Sequence, residues 1–422
     1  MTDNFKRFDM SIPPRKPKWY LKPIGKLLFS FGYKVHHPII TYENGSKDFK
    51  GPFFLLCNHN AFLDFKVCYR VVGKNDSHFI VAIDGYLGRE NLMRNIGCIC
   101  KRKFTNDIVL IRNIKKAIDM KDVVIMYPEA RYSLCGTTAV IQKSIAKMAK
   151  MLDVPLLTLI CHGHHINSPF WDTSHERNVS PTEATYKVLF TQEELRKASV
   201  EEIYDAIINE FQYDDFKWQK ERGIIVNDPN RAKGLHRVLY QCPNCKKEYR
   251  MDSFGTKLVC KECGKEWEMT ELGELKALDG KDIFTHIPDW YEWERSNVKK
   301  EVEEGTYNSG VLNVQVDSLP NPKKYIDLGH GTLVHDMNGF RVSVTDKDGV
   351  ERSMVKDVPS LYSCHIEYQY LFKKGDCVDL NTLTDTWYIY PEGEHFAVTK
   401  MALATEELYF KWEREKNLEK HK

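Results

Sequence analysis

The sequence lacks any uninterrupted apolar run of the roughly 20 residues that a membrane-spanning helix needs. Its first ten residues, Met1 to Met10, are polar and have no apolar core of the kind a secretory signal carries. It contains no internal repeat and no low-complexity tract. We therefore expect a folded protein of the cytoplasm, where cysteine thiols stay reduced. Its 12 cysteines would then serve as metal ligands or as small buried side chains.

Neither sign of charge dominates the chain. It carries 61 Lys and Arg against 59 Asp and Glu, a formal net charge of +2. A chain so balanced has no overall field to attract nucleic acid, so nucleic acid is not expected as a partner. The basic residues are nevertheless unevenly placed, because residues 15–38 contain six of them and no acid. These are Arg15, Lys16, Lys18, Lys22, Lys26 and Lys34.

The stretch from Trp19 to Tyr33, within this basic segment, is aromatic and aliphatic as well as cationic. Such a segment can lie along a membrane surface, with lysines at the head groups and apolar side chains dipping inward. It can equally form an N-terminal helix that packs on the next domain. The first interpretation predicts a protein peripheral to the inner face of the cytoplasmic membrane. Residues 1–17 are expected to form a loose polar lead-in.

The length of 422 residues is too great for one ordinary core, so two or three domains are expected. From Val35 to about Phe190, short apolar runs alternate with helical patterns, which favours a layered α/β domain. Predicted strands are residues 53–57, 79–83, 123–127, 156–161 and 185–190. Predicted helices are residues 64–72, 107–120 and 139–152.

Four units follow from these patterns. We assign residues 1–225 to the α/β domain with its N-terminal basic amphipathic segment, 226–272 to a cysteine-rich unit, 273–304 to a charged helical connector, and 305–422 to a β-rich domain with a C-terminal helix. The short strands and final helix of the last unit look like those of a pleckstrin-homology (PH) type module.

A histidine and a carboxylate follow the first of these strands directly. The sequence Asn58-His59-Asn60-Ala61-Phe62-Leu63-Asp64 comes straight after the apolar residues 53–57. A neutral imidazole can take a proton from a hydroxyl near neutral pH, and a carboxylate can hold its tautomer and stabilise the imidazolium. Two side chains five residues apart on one helix would point about 140° apart. His59 is therefore expected on the strand-to-helix turn and Asp64 in the first helical turn; the plainer interpretation is a structural turn histidine.

Four ordered motifs in residues 20–215 resemble those of the glycerophospholipid acyltransferase family, whose type member is lysophosphatidic acid acyltransferase. The first motif, Asn-His followed by Asp, corresponds to Asn58, His59 and Asp64. The second, a glycine before a hydrophobic and basic run, resembles Gly97-Cys98-Ile99-Cys100-Lys101-Arg102-Lys103. The third, usually Pro-Glu-Gly-Thr-Arg-Ser, resembles Pro128-Glu129-Ala130-Arg131-Tyr132-Ser133, and the fourth resembles Val154-Pro155. Ala130 stands where the family has glycine, and Arg131 stands one position early.

The resemblance implies a reaction and a set of site residues. An acyl group would pass from an acyl thioester, on coenzyme A or acyl carrier protein, to a hydroxyl of a lysophospholipid-like acceptor. His59 would be the general base and Asp64 would orient it. The acceptor contacts implied are Asn58, Gly97, Lys101, Arg102, Lys103, Glu129, Arg131 and Ser133. The alternative function is that of a catalytically inert lipid-binding or membrane-docking protein on the same fold.

A histidine-rich stretch, Cys161-His162-Gly163-His164-His165, ends a predicted central strand. The ends of such strands lie close to where an active site opens in α/β folds. These histidines are expected either as polar residues at the edge of the fold or as ligands.

Two Cys-x-x-Cys pairs, separated by fourteen residues, predict a metal site. They are Cys242 with Cys245 and Cys260 with Cys263. Four thiolates at this spacing can close a tetrahedral shell around Zn²⁺, which makes the metal structural. A zinc ribbon can bind nucleic acid, but its basic and acidic residues are interspersed here, so a scaffold or protein-contact role is favoured.

Overall fold

The N-terminal part of the chain folds around one mixed β-sheet. The computed structural model describes residues 5–73, 75–172, 174–371 and 374–420. The strands of this sheet are β1 (Ile39–Glu43), β2 (Phe54–Cys57), β3 (Ser77–Ala82), β4 (Ile99–Lys101), β5 (Val123–Met126), β6 (Leu156–His162) and β7 (Glu183–Phe190). Their order is β1-β7-β6-β2-β5-β3-β4. The run from β6 to β4 is parallel throughout, while β7 is antiparallel to β6.

Helices cover both faces of this sheet. They are α1 (Leu21–His36), α2 (Phe62–Val72), α3 (Glu90–Asn95), α4 (Ile108–Asp119), α5 (Ser144–Leu152), α6 (His164–Asn167), α7 (Gln192–Lys197), α8 (Val200–Glu210) and α9 (Asp215–Arg222). Alternate residues of β2 point to opposite faces. Leu55 joins the hydrophobic cluster that α2 covers, whereas Leu56 joins the cluster that α4, α5 and α8 cover. The predicted layered α/β arrangement is therefore observed.

The carboxyl ends of the parallel strands meet at one edge of the sheet. Because β6, β2 and β5 are neighbours there, the residues that follow them lie close together. In chain order these are residues 58–64, 127–133 and 163–165. This edge contains the first and third motifs and the histidine-rich stretch.

The N-terminal segment is fastened to the fold, so the expectation of a loose lead-in was wrong for residues 5–17. The ring of Phe8 is buried against Tyr86, with centroids 5.7 Å apart, and the guanidinium of Arg94 lies 4.7 Å from its centroid. Residues 1–4 lie outside the described ranges. An aromatic residue inside a polar stretch provides the attachment.

Helix α1 packs on α2 and leaves its other face in solvent. The ring of Phe29 contacts those of Phe62, Phe65 and Tyr69. The side chains of Leu27 and Leu28, in contrast, are 77% and 68% exposed. In the described ranges, no helix combines the length and apolarity needed to cross a bilayer.

The cysteine-rich unit is a small antiparallel sheet. Its strands are β8 (Met251–Phe254), β9 (Lys257–Cys260), β10 (Glu266–Met269) and β11 (Leu275–Ala277), in the order β11-β10-β9-β8. Strand β11 lies within residues 273–304, which were predicted as a helical connector. Leu275 and Ala277 are buried while Lys276 is exposed, a period of two that makes a strand. The connector helix, α10 (Ile287–Glu303), begins only after it.

The C-terminal region is an antiparallel sheet closed by a helix. Its strands are β12 (Asn308–Ser318), β13 (Ile326–Asp336), β14 (Gly339–Thr345), β15 (Glu351–Lys356), β16 (His365–Glu367), β17 (Cys377–Asn381) and β18 (Thr386–Pro391). Their order is β15-β14-β13-β12-β18-β17-β16, so the long strand β12 joins two meanders. The final helix, α11 (Val398–Lys420), packs beside α10 and β16.

Candidate active site

His59 lies immediately beyond β2, with its ring held between two tyrosines. The ring centroids of Tyr127 and Tyr132 each lie 4.1 Å from that of His59. The His59 side chain is 22% exposed, but its Nδ1 is buried and lies 3.5 Å from Oδ2 of Asp64. That distance is long for a hydrogen bond, and such contacts often tighten only when substrate binds. Burial lowers the pKa of His59, partly offset by Asp64, so the ring is a neutral base near pH 7.

Asp64 is the third residue of α2 and is fully buried. Its Oδ2 accepts hydrogen bonds from the backbone N–H groups of Asn60 (2.5 Å) and Ala61 (2.9 Å), which closes the turn between β2 and α2. Its Oδ1 lies 2.5 Å from Nδ1 of His164. Burial alone would raise the pKa of Asp64, but hydrogen bonds from His164 and His59 outweigh it and lower the pKa to about 2. Asp64 is therefore a carboxylate at physiological pH.

Two residues of the third motif hold the backbone of His59. The Glu129 carboxylate accepts from the His59 N–H at 3.2 Å, and the Ser133 N–H donates to the His59 carbonyl at 2.8 Å. Glu129 also accepts from the Ala139 N–H at 2.9 Å and from the Tyr213 hydroxyl at 3.0 Å. Burial raises the pKa of Glu129 to about 8. Glu129 and Ser133 were predicted as acceptor contacts; in the structure both are buried and support the turn that contains His59.

Asn58 and Gly97, two further predicted acceptor contacts, also have structural partners. The Asn58 amide donates to the Cys161 carbonyl and accepts from the Cys161 N–H, both at 2.8 Å, which ties β2 to β6. Gly97 has a φ of 88°, a backbone conformation that favours glycine. Its carbonyl accepts a hydrogen bond from His78 Nδ1 at 2.7 Å. Folding alone therefore accounts for these two residue types.

Arg102 and Lys103, predicted as phosphate contacts, are bound to the C-terminal region. The buried guanidinium of Arg102 donates hydrogen bonds to four oxygens of that region, at 2.6 to 3.1 Å. They are the carbonyls of Leu319, Pro320 and Thr384 and the hydroxyl of Thr386. The ammonium of Lys103 lies 3.1 Å from a carboxylate oxygen of Asp84 and of Asp379. Burial opposes the charge of Lys103, but these two carboxylates outweigh it and raise its pKa.

Arg131 is also bound to the C-terminal region, whereas Lys101 is not. The Arg131 guanidinium lies 2.7 Å from a carboxylate oxygen of Glu406 in α11, and Arg295 of α10 binds the other oxygen at 2.8 Å. Lys101 is half-buried, and its ammonium group has no hydrogen-bond or ion-pair partner among the described residues. Burial, with the charge of Lys103, lowers the pKa of Lys101 to about 8. Lys101 is close enough to His59 to lower its pKa in turn.

Several residues of the site were missed in the sequence. Tyr127 and Tyr132 follow β5 and were not identified as partners of His59, although Tyr132 stands inside the third motif. His365 of β16 also acts electrostatically on His59. Its Nε2 lies 2.8 Å from Glu367, and its Nδ1 is buried without a hydrogen-bond partner in the described residues. No local sequence signal could have brought a residue of β16 to this site.

The four cysteines of the two Cys-x-x-Cys pairs lie close together in the cysteine-rich unit. The sulfurs of Cys242 and Cys263 lie 3.8 Å apart, and those of Cys245 and Cys260 lie 3.7 Å apart. All four lie within 4.8 Å of one another. Four thiolates bound about 2.3 Å from a tetrahedral zinc ion stand about 3.8 Å apart. The group can therefore hold a metal ion, and its donor set fits zinc.

A protein-family model matches part of the N-terminal α/β region. Residues 35–162 match the protein-family model described as Acyltransferase. The crystal structure of the 1-acyl-sn-glycerophosphate (LPA) acyltransferase, PlsC, from Thermotoga maritima is similar over 45% of this chain and 80% of that chain, with a TM-score of 0.34 and 18% sequence identity. No curated protein matches the chain. The family match contains His59, Asp64 and the four motif cations, which are Lys101, Arg102, Lys103 and Arg131; the cysteine-rich unit and the C-terminal region lie outside it.

Proposed function

We propose that this protein transfers an acyl group from an acyl thioester to a hydroxyl of a lysophospholipid-like acceptor. The observation that carries the proposal is His59, a neutral and partly exposed imidazole whose Nδ1 faces the buried carboxylate of Asp64, inside the segment that matches the Acyltransferase family. Either coenzyme A or acyl carrier protein would serve as the donor's carrier.

The arrangement gives each ring nitrogen of His59 a task. Nδ1 carries the hydrogen that faces Asp64, so Nε2 is free to take the proton of the acceptor hydroxyl. The acceptor oxygen attacks the thioester carbonyl, the carbon–sulfur bond breaks, and the departing thiolate takes the proton back from His59. The faces of Tyr127 and Tyr132 stabilise the transient imidazolium, because aromatic faces attract cations. Product analysis by mass spectrometry, with purified protein, donor and lysophospholipid, tests this function.

One observation favours the alternative of an inert lipid-binding protein. Arg102, Lys103 and Arg131 are bound internally, so most of the groups expected to bind phosphate already have partners within the protein. In an inert protein, however, the pairing of His59 with Asp64 would have no chemical role. Failure to form product from any donor and acceptor pairing would favour this alternative.

We assign the acceptor's phosphate to Lys101, the motif cation without an internal partner. Lys101→Gln should raise KM about tenfold for a lysophospholipid acceptor, because a charge-assisted hydrogen bond is lost. It should change KM little for an uncharged monoacylglycerol. Steady-state kinetics with the two acceptors measures the difference. An equal change for both acceptors, or none, would contradict this assignment.

We also propose that the exposed face of α1 binds the membrane. Leu27 and Leu28 are exposed on it together with Lys26, and Trp19 and Lys18 are exposed just before the helix begins. Phe62, which contacts Phe29 of this helix and is itself 55% exposed, lies three residues after His59, so lipid substrates would arrive near the base.

Trp19→Glu together with Leu27→Glu should abolish flotation with anionic vesicles, since each fully buried large apolar side chain contributes roughly 1.5–3 kcal/mol. Val311→Glu, at an equally exposed apolar side chain of the C-terminal region, is the matched control and should float normally. Unchanged flotation of the double variant would exclude this surface.

For the remaining units we propose a structural Zn²⁺ in the ribbon, held by Cys242, Cys245, Cys260 and Cys263, and a PH-type C-terminal module. The order of the strands β12 to β18 and the closing helix α11 support the second assignment. That module binds Arg102, Lys103 and Arg131, so its function here is to fix the catalytic domain.

A further inference from the structure

The histidine-rich stretch at the end of β6 lies beside the catalytic pair. His162 Nδ1 is 3.7 Å from Asp215, and neither ring nitrogen of His165 has a hydrogen-bond partner in the described residues. His164 differs from both, because its Nδ1 lies 2.5 Å from Oδ1 of Asp64. His164 and Asp64 are both fully buried. His164 therefore contacts the carboxylate that orients the base, and it never meets the solvent.

Asp64 divides its two oxygens between two sets of partners. Oδ2 binds the backbone of the turn and faces His59, whereas Oδ1 binds His164. Because a carboxylate can only accept, Nδ1 of His164 must carry the hydrogen. Its Nε2 is then a buried lone pair, and it has no partner within the described part of the chain. His164 therefore has no partner among the residues described to which it could pass a proton, so its contact with Asp64 serves to orient the carboxylate.

We propose that His164 is a positioning residue that fixes the carboxylate plane of Asp64, so that Oδ2 is presented to His59. This inference rests on the proposed role of His59 as the base. Without the bond from His164, the carboxylate is held at Oδ2 alone, by the N–H groups of Asn60 and Ala61, and its plane is less firmly fixed. It also becomes more basic and holds a proton on His59 more firmly.

Other titratable groups face the same carboxylate from the surrounding elements. They are Cys57, Tyr127, Glu129, Tyr132, Cys161 and His165. Burial raises the pKa of the two thiols and the two phenols, so they stay neutral in the range where a histidine base titrates. His59 itself also faces Lys101 and His365. Burial lowers the pKa of His165 to about 4, so this ring is also neutral in the range where a histidine base titrates, and its replacement removes no charge near Asp64.

The experiment compares three variants. His164→Phe keeps a flat ring and removes the donor, His164→Asn keeps an N–H donor, and His165→Phe changes the equally buried neighbour that does not touch Asp64. His164→Phe should lower kcat roughly tenfold and move the acidic limb of kcat/KM upward by about one pH unit, the effect of one lost hydrogen bond to a charged group. His164→Asn should restore most of the rate, and His165→Phe should leave the limb in place.

Nuclear magnetic resonance of the full chain, labelled with ¹⁵N-histidine, supplies a readout that needs no turnover. The wild-type spectrum should show His164 protonated at Nδ1, and the titration of His59 should move upward in His164→Phe. If these signals behave as expected but no acyl transfer occurs, the proposed function fails and the positioning role stands. Protonation of His164 at Nε2, or an equal loss of rate in His164→Phe and His164→Asn with an unmoved limb, overturns it.

Discussion

Replacement of His59 by alanine is expected to abolish acyl transfer while the protein stays folded. A positioned general base contributes about 10²- to 10⁴-fold to a rate. In the proposed mechanism Nε2 of His59 accepts the proton, so the variant should lose the whole of that factor. The contacts that hold the turn, from Glu129 and Ser133, reach the backbone of His59 and survive the change. The melting temperature should therefore shift only slightly, from the gap left between the two tyrosines.

The matched control is His175→Ala, at a surface histidine whose side chain is 43% exposed. It should retain full activity and the same melting temperature. Turnover by His59→Ala at more than a few per cent of the wild-type rate would exclude His59 as the base, whatever the fold does.

Replacement of Cys260 by serine is expected to abolish binding of the proposed zinc ion and to unfold the cysteine-rich unit. Structural zinc contributes about 10–16 kcal/mol to the folding of zinc-finger peptides near pH 7. Four short strands without it have little core of their own. The effect should spread to α10, because Trp290 of that helix packs on Trp267 and donates to the Gln241 carbonyl, next to Cys242. The mixed sheet of the α/β domain has hydrophobic clusters that contain no residue of the cysteine-rich unit, so it should be less affected.

Metal content and hydrogen exchange measure this prediction. The wild type should contain one zinc ion per chain and Cys260→Ser none, with exchange protection lost first in β8 to β11 and α10. Cys98→Ser, at a buried cysteine of the α/β domain, is the control and should keep its zinc. Equal zinc content in Cys260→Ser and the wild type would contradict the site.

The sequence was sufficient to place His59 on the turn after β2 and Asp64 in the first turn of α2, because local patterns decide these positions. The apolar run at residues 53–57 is a buried strand, and a turn that begins with Asn58 and His59 must lie at its carboxyl end. The placement of Asp64 in the first turn of α2 follows from the same argument. The Cys-x-x-Cys pairs are similarly local, and their spacing alone predicts that four sulfurs converge.

The partners of Arg102, Lys103 and Arg131 could not be predicted, because most of them lie in the C-terminal region. The oxygens of the C-terminal region that bind Arg102 and Lys103 lie 217 to 284 residues later in the chain, and the carboxylate that binds Arg131 lies 275 residues later. A basic run looks the same in sequence whether it meets a phosphate or a buried carboxylate. The role of His164 was hidden for a related reason, since its partner lies on a different strand–helix connection.

The order of thiol release and ester formation tests the central claim most directly. If His59 activates the acceptor hydroxyl for direct attack, purified protein given an acyl thioester alone should release no thiol. Addition of a lysophospholipid should then start thiol release, with one ester formed for each thiol and no initial burst. A burst of thiol without acceptor, accompanied by an acylated protein in the mass spectrum, would contradict the account.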